Sequence, residues 1–236
     1  MDAPLISWPP LTAGTLLRRY KRFMADVRLP DGTIVTAHCP NSGRMLTCSE
    51  PLRPVYLSTS RSPGRKFPYT WEMIHMPQTL VVVNTLQANR IARRAIEEGL
   101  IPELSGYPRV SPEVRVTDRS RIDLLLDGPG KRPCLVEVKS STMVVDSRAM
   151  FPDAVTARGS KHARELQHLC RKGNRAVMLF LIQRMDATVF TTAGHIDGAY
   201  AAALRQAREA GVEVLAYDTI ITLSGVSLGR NIPCMV

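Results

Sequence analysis

"CLVEVKSST", residues 134–142, sets a glutamate and a lysine two positions apart inside an otherwise apolar run. Alternate residues of a strand share a face, so Glu137 and Lys139 point one way while Val136 and Val138 point the other. Upstream, "SRIDLLLD" (120–127) is equally apolar and carries Asp123. The intervening "GPGKRP" (128–133) is rich in turn residues. An antiparallel hairpin centred on Gly130 puts Asp123 directly opposite Glu137, with Cβ atoms ~5 Å apart. A second hairpin centred on Asp118 brings Glu113 opposite Asp123. One row across the sheet then reads Glu113–Asp123–Glu137 and the next Arg115–Arg121–Lys139, provided neither register slips by a residue.

Like charges directly opposed destabilise a sheet, so three carboxylates abreast require a cation or altered proton affinities. Mg²⁺ and Mn²⁺ prefer oxygen ligands and suit such a row. Asp123, Glu137 and the Val138 carbonyl are the candidate ligands. Lys139 is a positioned cation for a charged transition state, and Glu113 completes the row. The chemistry this set supports is phosphodiester hydrolysis. It is the D…E-x-K constellation of the PD-(D/E)XK nucleases, with Ile122-Asp123 in place of Pro-Asp. The bland alternative is an edge-strand salt bridge between Glu137 and Lys139.

Outward from this hairpin the chain reads as two units. Residues 1–84 are mostly strands: two runs within 16–40 joined at Asp31-Gly32, then 54–60, 66–74 and 79–84, punctuated by proline and glycine. Five short strands fit a small OB-like β-barrel. Residues 85–236 change pattern. They read as a helix over 85–99 capped by Asn84, strands at 110–117, 120–127 and 133–140, and a helix over 160–173 capped by Ser160. Strands at 175–183 and 188–193, a helix over 197–210 and a strand at 212–218 complete the series. The expected fold class is α/β overall: an OB-like barrel at 1–84, then a mixed α/β, PD-(D/E)XK nuclease-like domain at 85–236.

The chain carries 31 basic and 21 acidic residues, net +10 with a pI near 9.8. A surplus of that size favours nucleic acid as partner, through counterion release. No apolar run reaches the ~18 residues of a membrane span, and the N-terminus has no signal-peptide pattern, so a cytoplasmic protein is expected. Five cysteines without a C-x-x-C pair read as buried free thiols rather than disulfides or zinc ligands. "RRYKRF" (18–23) interleaves Arg18, Arg19, Lys21 and Arg22 with Tyr20 and Phe23, the mixture of a groove that tracks a nucleic-acid backbone and stacks bases. The same stretch also reads as a strand with its basic face in water. Arg44 in "PNSGR" (40–44), Lys66 and Arg121 are further candidates for phosphate contact. Lys161, on the polar side of its helix, is placed to approach a scissile phosphate, ahead of His162.

The chain also resembles the sugar fermentation stimulation protein A family from end to end. The resemblance is carried by "RYKRFMADV" (19–27), "HCPNSGRM" (38–45), "VNTLQANR" (83–90), "SRID" (120–123), "VEVKS" (136–140), "FPDAV" (151–155) and "RGSKHAREL" (158–166). It implies an N-terminal OB-like domain, a C-terminal nuclease-like domain, non-specific DNA binding and a regulatory link to maltose metabolism. Ala157 stands where the family often has glutamate. A nuclease-like fold can also serve a DNA-binding regulator whose carboxylate cluster is structural only.

Overall fold

The computed structural model describes residues 3–60, 66–117 and 120–236. The N-terminal part contains β1 (Ile6–Ser7), β2 (Leu11–Tyr20), β3 (Met24–Arg28), β4 (Ile34–His38), β5 (Pro54–Thr59), β6 (Tyr69–Met76) and β7 (Thr79–Val82). Six of these form one sheet in the order β4-β3-β2-β5-β6-β7, and a parallel pairing of β4 with β6 closes it on itself. Closure hides strand edges and encloses Leu16, Val27, Val55, Leu57, Trp71 and Ile74, all fully buried. The expected barrel is present. Its first run is broken where the chain reverses at Lys21 and Arg22, with φ of 48° and 63°. Consecutive positive-φ turn residues are usually Asn or Gly, so "YKRF" carries no local sign of a turn.

The second part comprises α1 (Leu86–Glu97), β8 (Arg109–Thr117), β9 (Ser120–Asp127), β10 (Cys134–Ser141), β11 (Met143–Val145), β12 (Arg148–Phe151) and α2 (Ala157–Arg171). It continues with β13 (Arg175–Ile182), β14 (Val189–Thr192), α3 (Gly198–Glu209), β15 (Glu213–Ile221), β16 (Gly225–Asn231) and β17 (Cys234–Met235). Its main sheet runs β1-β16-β15-β13-β10-β9-β8, with β10, β13 and β15 mutually parallel at the centre. A smaller sheet, β11-β12-β14-β17, stands beside it. Helix α1 buries Ala88, Ile91, Ala92 and Ala95 against one face of the main sheet. Helices α2 and α3 cover the other with Ala163, Leu166, Tyr200 and Leu204. Both faces of β13 are thus enclosed, which is why "RAVMLFLI" is apolar without alternation.

Two helix starts differ from expectation. Helix α2 begins before Ser160: Thr156 is its cap, its hydroxyl accepting the Gly159 N–H at 3.0 Å, and Ser160 is buried within the first turn. At α1, Thr85 is the cap residue, while the Asn84 side chain accepts the Leu86 N–H at 3.1 Å.

The first strand is the other departure, because residues 6–8 do not join the barrel. Ile6 and Ser7 pair antiparallel with Val226 and Gly225 on the outer edge of the main sheet. Trp8 is buried in the α/β core and donates its Nε1–H to the Thr222 carbonyl at 2.9 Å. A unit spanning all of 1–84 therefore omits this return, which covers an otherwise open sheet edge. Asp118, the expected turn between β8 and β9, lies outside the described residues. Among the described residues no helix is long and apolar enough to cross a membrane.

Candidate active site

β9 and β10 pair as Cys134↔Leu126, Leu135↔Leu125 and Val136↔Leu124, then stop one pair short of Glu137 and Asp123. There β9 turns over: Leu124 enters the core under α1, whereas Ile122, two residues away, enters the core under α2. Residues two apart on a regular strand share a face, so the backbone twists at Asp123. Its carboxylate sits in the resulting gap and replaces a ladder acceptor. Oδ2 accepts the Val138 N–H at 2.8 Å, and Oδ1 accepts Asn89 Nδ2 from α1 at 2.9 Å. Splaying the strands keeps two carboxylates close without stacking them as a directly opposed pair.

Glu137 is 2% exposed, and its Oε1 receives both Lys139 Nζ and His162 Nδ1. Lys139 Nζ also lies 3.3 Å from His162 Nδ1, and Arg158 Nε donates to His162 Nε2 at 3.3 Å. His162 is thus an α2 residue in direct contact with Glu137 and Lys139. It precedes the buried Leu166 by four residues, so both share the helix's inner face. Lys161 points outward, its side chain 53% exposed, with Nζ 3.5 Å from Glu165 Oε1. Glu165 in turn accepts the Ser120 hydroxyl at 2.6 Å, tying α2 to the start of β9.

Burial raises the proton affinity of the Asp123 carboxyl, and the nearby Glu137 charge adds to the effect. Burial pushes Glu137 upward too, but the hydrogen bond from His162 and the charge of Lys139 outweigh it and hold Glu137 below the ordinary carboxylate range. Neighbouring carboxylates driven in opposite directions are a pattern of acid–base and metal sites. Among the described residues no three His, Cys, Asp or Glu side chains are arranged to hold a metal. The donors present still fit a hard cation: two carboxylates, with water completing the shell as is usual for Mg²⁺. Val138 turns its N–H toward Asp123, and an extended residue directs its carbonyl to the same neighbouring strand, so that oxygen also faces the gap. Glu113 lies between the pairs Pro112↔Leu124 and Val114↔Ile122, which sets it level with Asp123 across the β8–β9 ladder in the expected register. It is exposed, in a left-handed conformation (φ 53°), on the rim.

These groups line a cleft of about 680 Å³ between the barrel and the α/β unit. Arg22, Arg90 and Arg158 stand around its mouth. The barrel wall is the 41–45 loop, and Arg19 holds it: its guanidinium donates to the carbonyls of Asn41 (2.9 Å), Gly43 (2.8 Å) and Arg44 (3.2 Å). Across the cleft Asp153 accepts the Met45 N–H at 2.7 Å. A Cβ on Gly43 would lie 2.4 Å from an Asp153 oxygen. Gly43→Ala is therefore expected to lower stability by ~1–3 kcal/mol through overpacking. Chemical denaturation checks this, and an unchanged midpoint would mean the wall yields freely.

The other basic candidates are dispersed. Arg18 is exposed, pairs with Asp26 at 2.8 Å and lies over the Tyr20 ring. Lys21 shares the hairpin tip with Arg22, and Arg44 is exposed on the 41–45 loop. Lys66 lies over Phe67, away from the cleft. Arg121 is exposed beside a second hollow lined also by Glu113, Asp123, Lys161 and His162. Cys39, Cys48 and Cys134 are buried and all five cysteines are free, burial pushing the Cys48 thiol up to about 12.

A closed OB barrel joined to a mixed α/β sheet, with an acid on one strand and Glu-x-Lys on the next, defines the class of protein. The chain belongs to the sugar fermentation stimulation protein family. Residues 86–225 match its "Sugar fermentation stimulation protein RE domain" and residues 17–83 its "SfsA N-terminal OB domain". A sugar fermentation stimulation protein homolog of Geobacter sulfurreducens is 50% identical over 226 residues, covering 96% of this chain and 97% of that one. One of Pelobacter propionicus is 50% identical over 228 residues, covering 97% and 99%. Among solved structures, "The structure of Pyrococcus Furiosus SfsA in complex with Ca2+" superposes with a TM-score of 0.90 at 29% identity, covering 100% of both chains.

Proposed function

We propose that this chain binds DNA without sequence specificity and hydrolyses phosphodiester bonds with a divalent cation, Mg²⁺ or Mn²⁺. The observation that carries the reading is the convergence of Asp123, Glu137 and Lys139 at the base of one arginine-rimmed cleft. The Ca²⁺ complex of the Pyrococcus furiosus relative supports a divalent ion. Held by Asp123, Glu137 and the Val138 carbonyl, the ion would polarise the phosphate and make a nearby water more acidic. Lys139 offsets charge on the transition state, His162 holds Glu137 in place, and the rim arginines orient the backbone. Glu113 and Lys161 line a hollow shared with Asp123 and His162, where they would meet the bound strand beside the reacting phosphate.

The pairing of Glu137 with both Lys139 and His162 favours one second reading, in which the cluster is structural and the protein is a non-catalytic DNA-binding regulator. A link to sugar, including maltose, metabolism belongs to either reading and is supported by the relatives' names. Incubating purified protein with plasmid and oligonucleotide DNA in Mg²⁺, Mn²⁺ or EDTA separates the two. Metal-dependent cleavage reduced at least ~10²-fold by Lys139→Ala is the expected result. Binding without cleavage under every condition selects the regulator, and cleavage untouched by the substitution removes Lys139 from the mechanism.

A further inference from the structure

We infer that the cleft takes a single strand of DNA, bases inward, and not an intact duplex; this rests on the DNA-hydrolysing reading above. Three observations converge on it. The first is size: about 680 Å³ is the scale of a site for one small ligand and matches an extruded or unpaired nucleotide.

The second is that the opening is fixed. Arg184, 5% exposed, donates from Nη1 to Thr47 Oγ1 and to the Thr142 carbonyl, both at 3.1 Å, joining barrel loop to sheet end behind the cleft. Asp153 holds Met45 from the facing wall. Widening the cleft for a duplex would strip these buried groups of their partners.

The third is the chemistry of the rim. Leu86 and Val155 line the cleft while 68% and 78% exposed, and Phe23 stands 47% exposed beside Arg22 at the hairpin tip. A duplex presents phosphate and sugar to such a rim. Only an unpaired strand offers base faces that large apolar side chains can cover while the arginines meet its phosphates.

Fluorescence anisotropy in EDTA, with labelled oligodeoxynucleotides of one sequence as single strand and blunt duplex, tests the inference. The single strand is expected to bind about tenfold tighter or more. The exposed-site variants Leu86→Ser and Val155→Ser, which add no charge, should each lose most of that margin, single-strand affinity falling toward that of the duplex. Parallel Mg²⁺ reactions should cut the single strand, or a duplex with an unpaired end, ahead of the blunt duplex. Equal affinity and equal cutting of the blunt duplex would overturn the inference yet leave the nuclease reading standing. Tighter binding of the matched RNA strand would overturn the assignment to DNA. Failure to bind any of these strands would overturn the DNA-hydrolysing reading, and this inference with it.

Discussion

Asp123→Asn is expected to lose metal-dependent cleavage by ~10³-fold while melting at a higher temperature than the parent protein in EDTA at neutral pH. The two effects share one cause. Asp123 is half-buried beside the ionised Glu137, and both partial burial and that charge raise its proton affinity in the folded state. The folded protein therefore binds this proton more tightly than the unfolded chain does. Its stability falls as pH rises from the ordinary carboxylate range through the raised folded value, and stays reduced above it. Asparagine keeps an oxygen to accept Asn89 or Val138 and cannot ionise, so the variant escapes that loss. The gain in melting temperature should accordingly shrink as pH is lowered into the carboxylate range. Calorimetry across pH, paired with the cleavage assay, reads both signs. A variant that melts lower at neutral pH would show that the lost hydrogen bond outweighs the relieved charge.

Arg184→Ala should cost roughly 3–5 kcal/mol, among the largest single losses available to this fold. The guanidinium grips Asp186 through two bonds of 2.6 Å and reaches Thr47 and Thr142 with its remaining nitrogen. Truncation strips a partly buried carboxylate of both its bonds and takes one donor each from Thr47 and Thr142, which keep only the longer bonds from the Val144 N–H and the Thr47 hydroxyl. The melting temperature should fall by roughly 6–20 °C, with Arg184→Lys intermediate because lysine cannot form the fork. An alanine variant melting with the parent would mean that water replaces every one of these contacts.

How much of this was legible beforehand depended on whether the cause was local. The hairpin of β9 and β10 was legible because apolar alternation and a turn-rich loop set its register together. The place where that ladder ends was not, since it depends on Ile122 and Leu124 entering different cores. Lys21 and Arg22 conceal their turn because neither residue type advertises a positive φ. β16, "GVSLGRN", has two glycines and no alternation, and becomes a strand only because β15 and β1 flank it. Arg19 sat in a basic cluster that suggested phosphate contact. Its engagement with three carbonyls of a loop more than twenty residues away is a tertiary fact that no window of sequence contains. His162, read with Lys161 as lying on the polar side of its helix, was within reach, since its four-residue spacing to the inward Leu166 puts the two on one face.

The short strand at Ile6–Ser7 changes what kind of object the barrel is. The chain pairs with the α/β sheet at Ile6–Ser7, departs to build the barrel, and returns at α1, so the barrel is an insertion between two segments of that unit. Both of its ends are moored to the same body, one through Trp8 and the other through Asn84. A guest attached at two points cannot swivel as a pendant domain does. For anyone dissecting the protein, a fragment begun at residue 85 would lose a strand from its sheet and a tryptophan from its core. The separable module is one in which residues 3–8 are rejoined to α1 by a short linker and the barrel is excised as a loop.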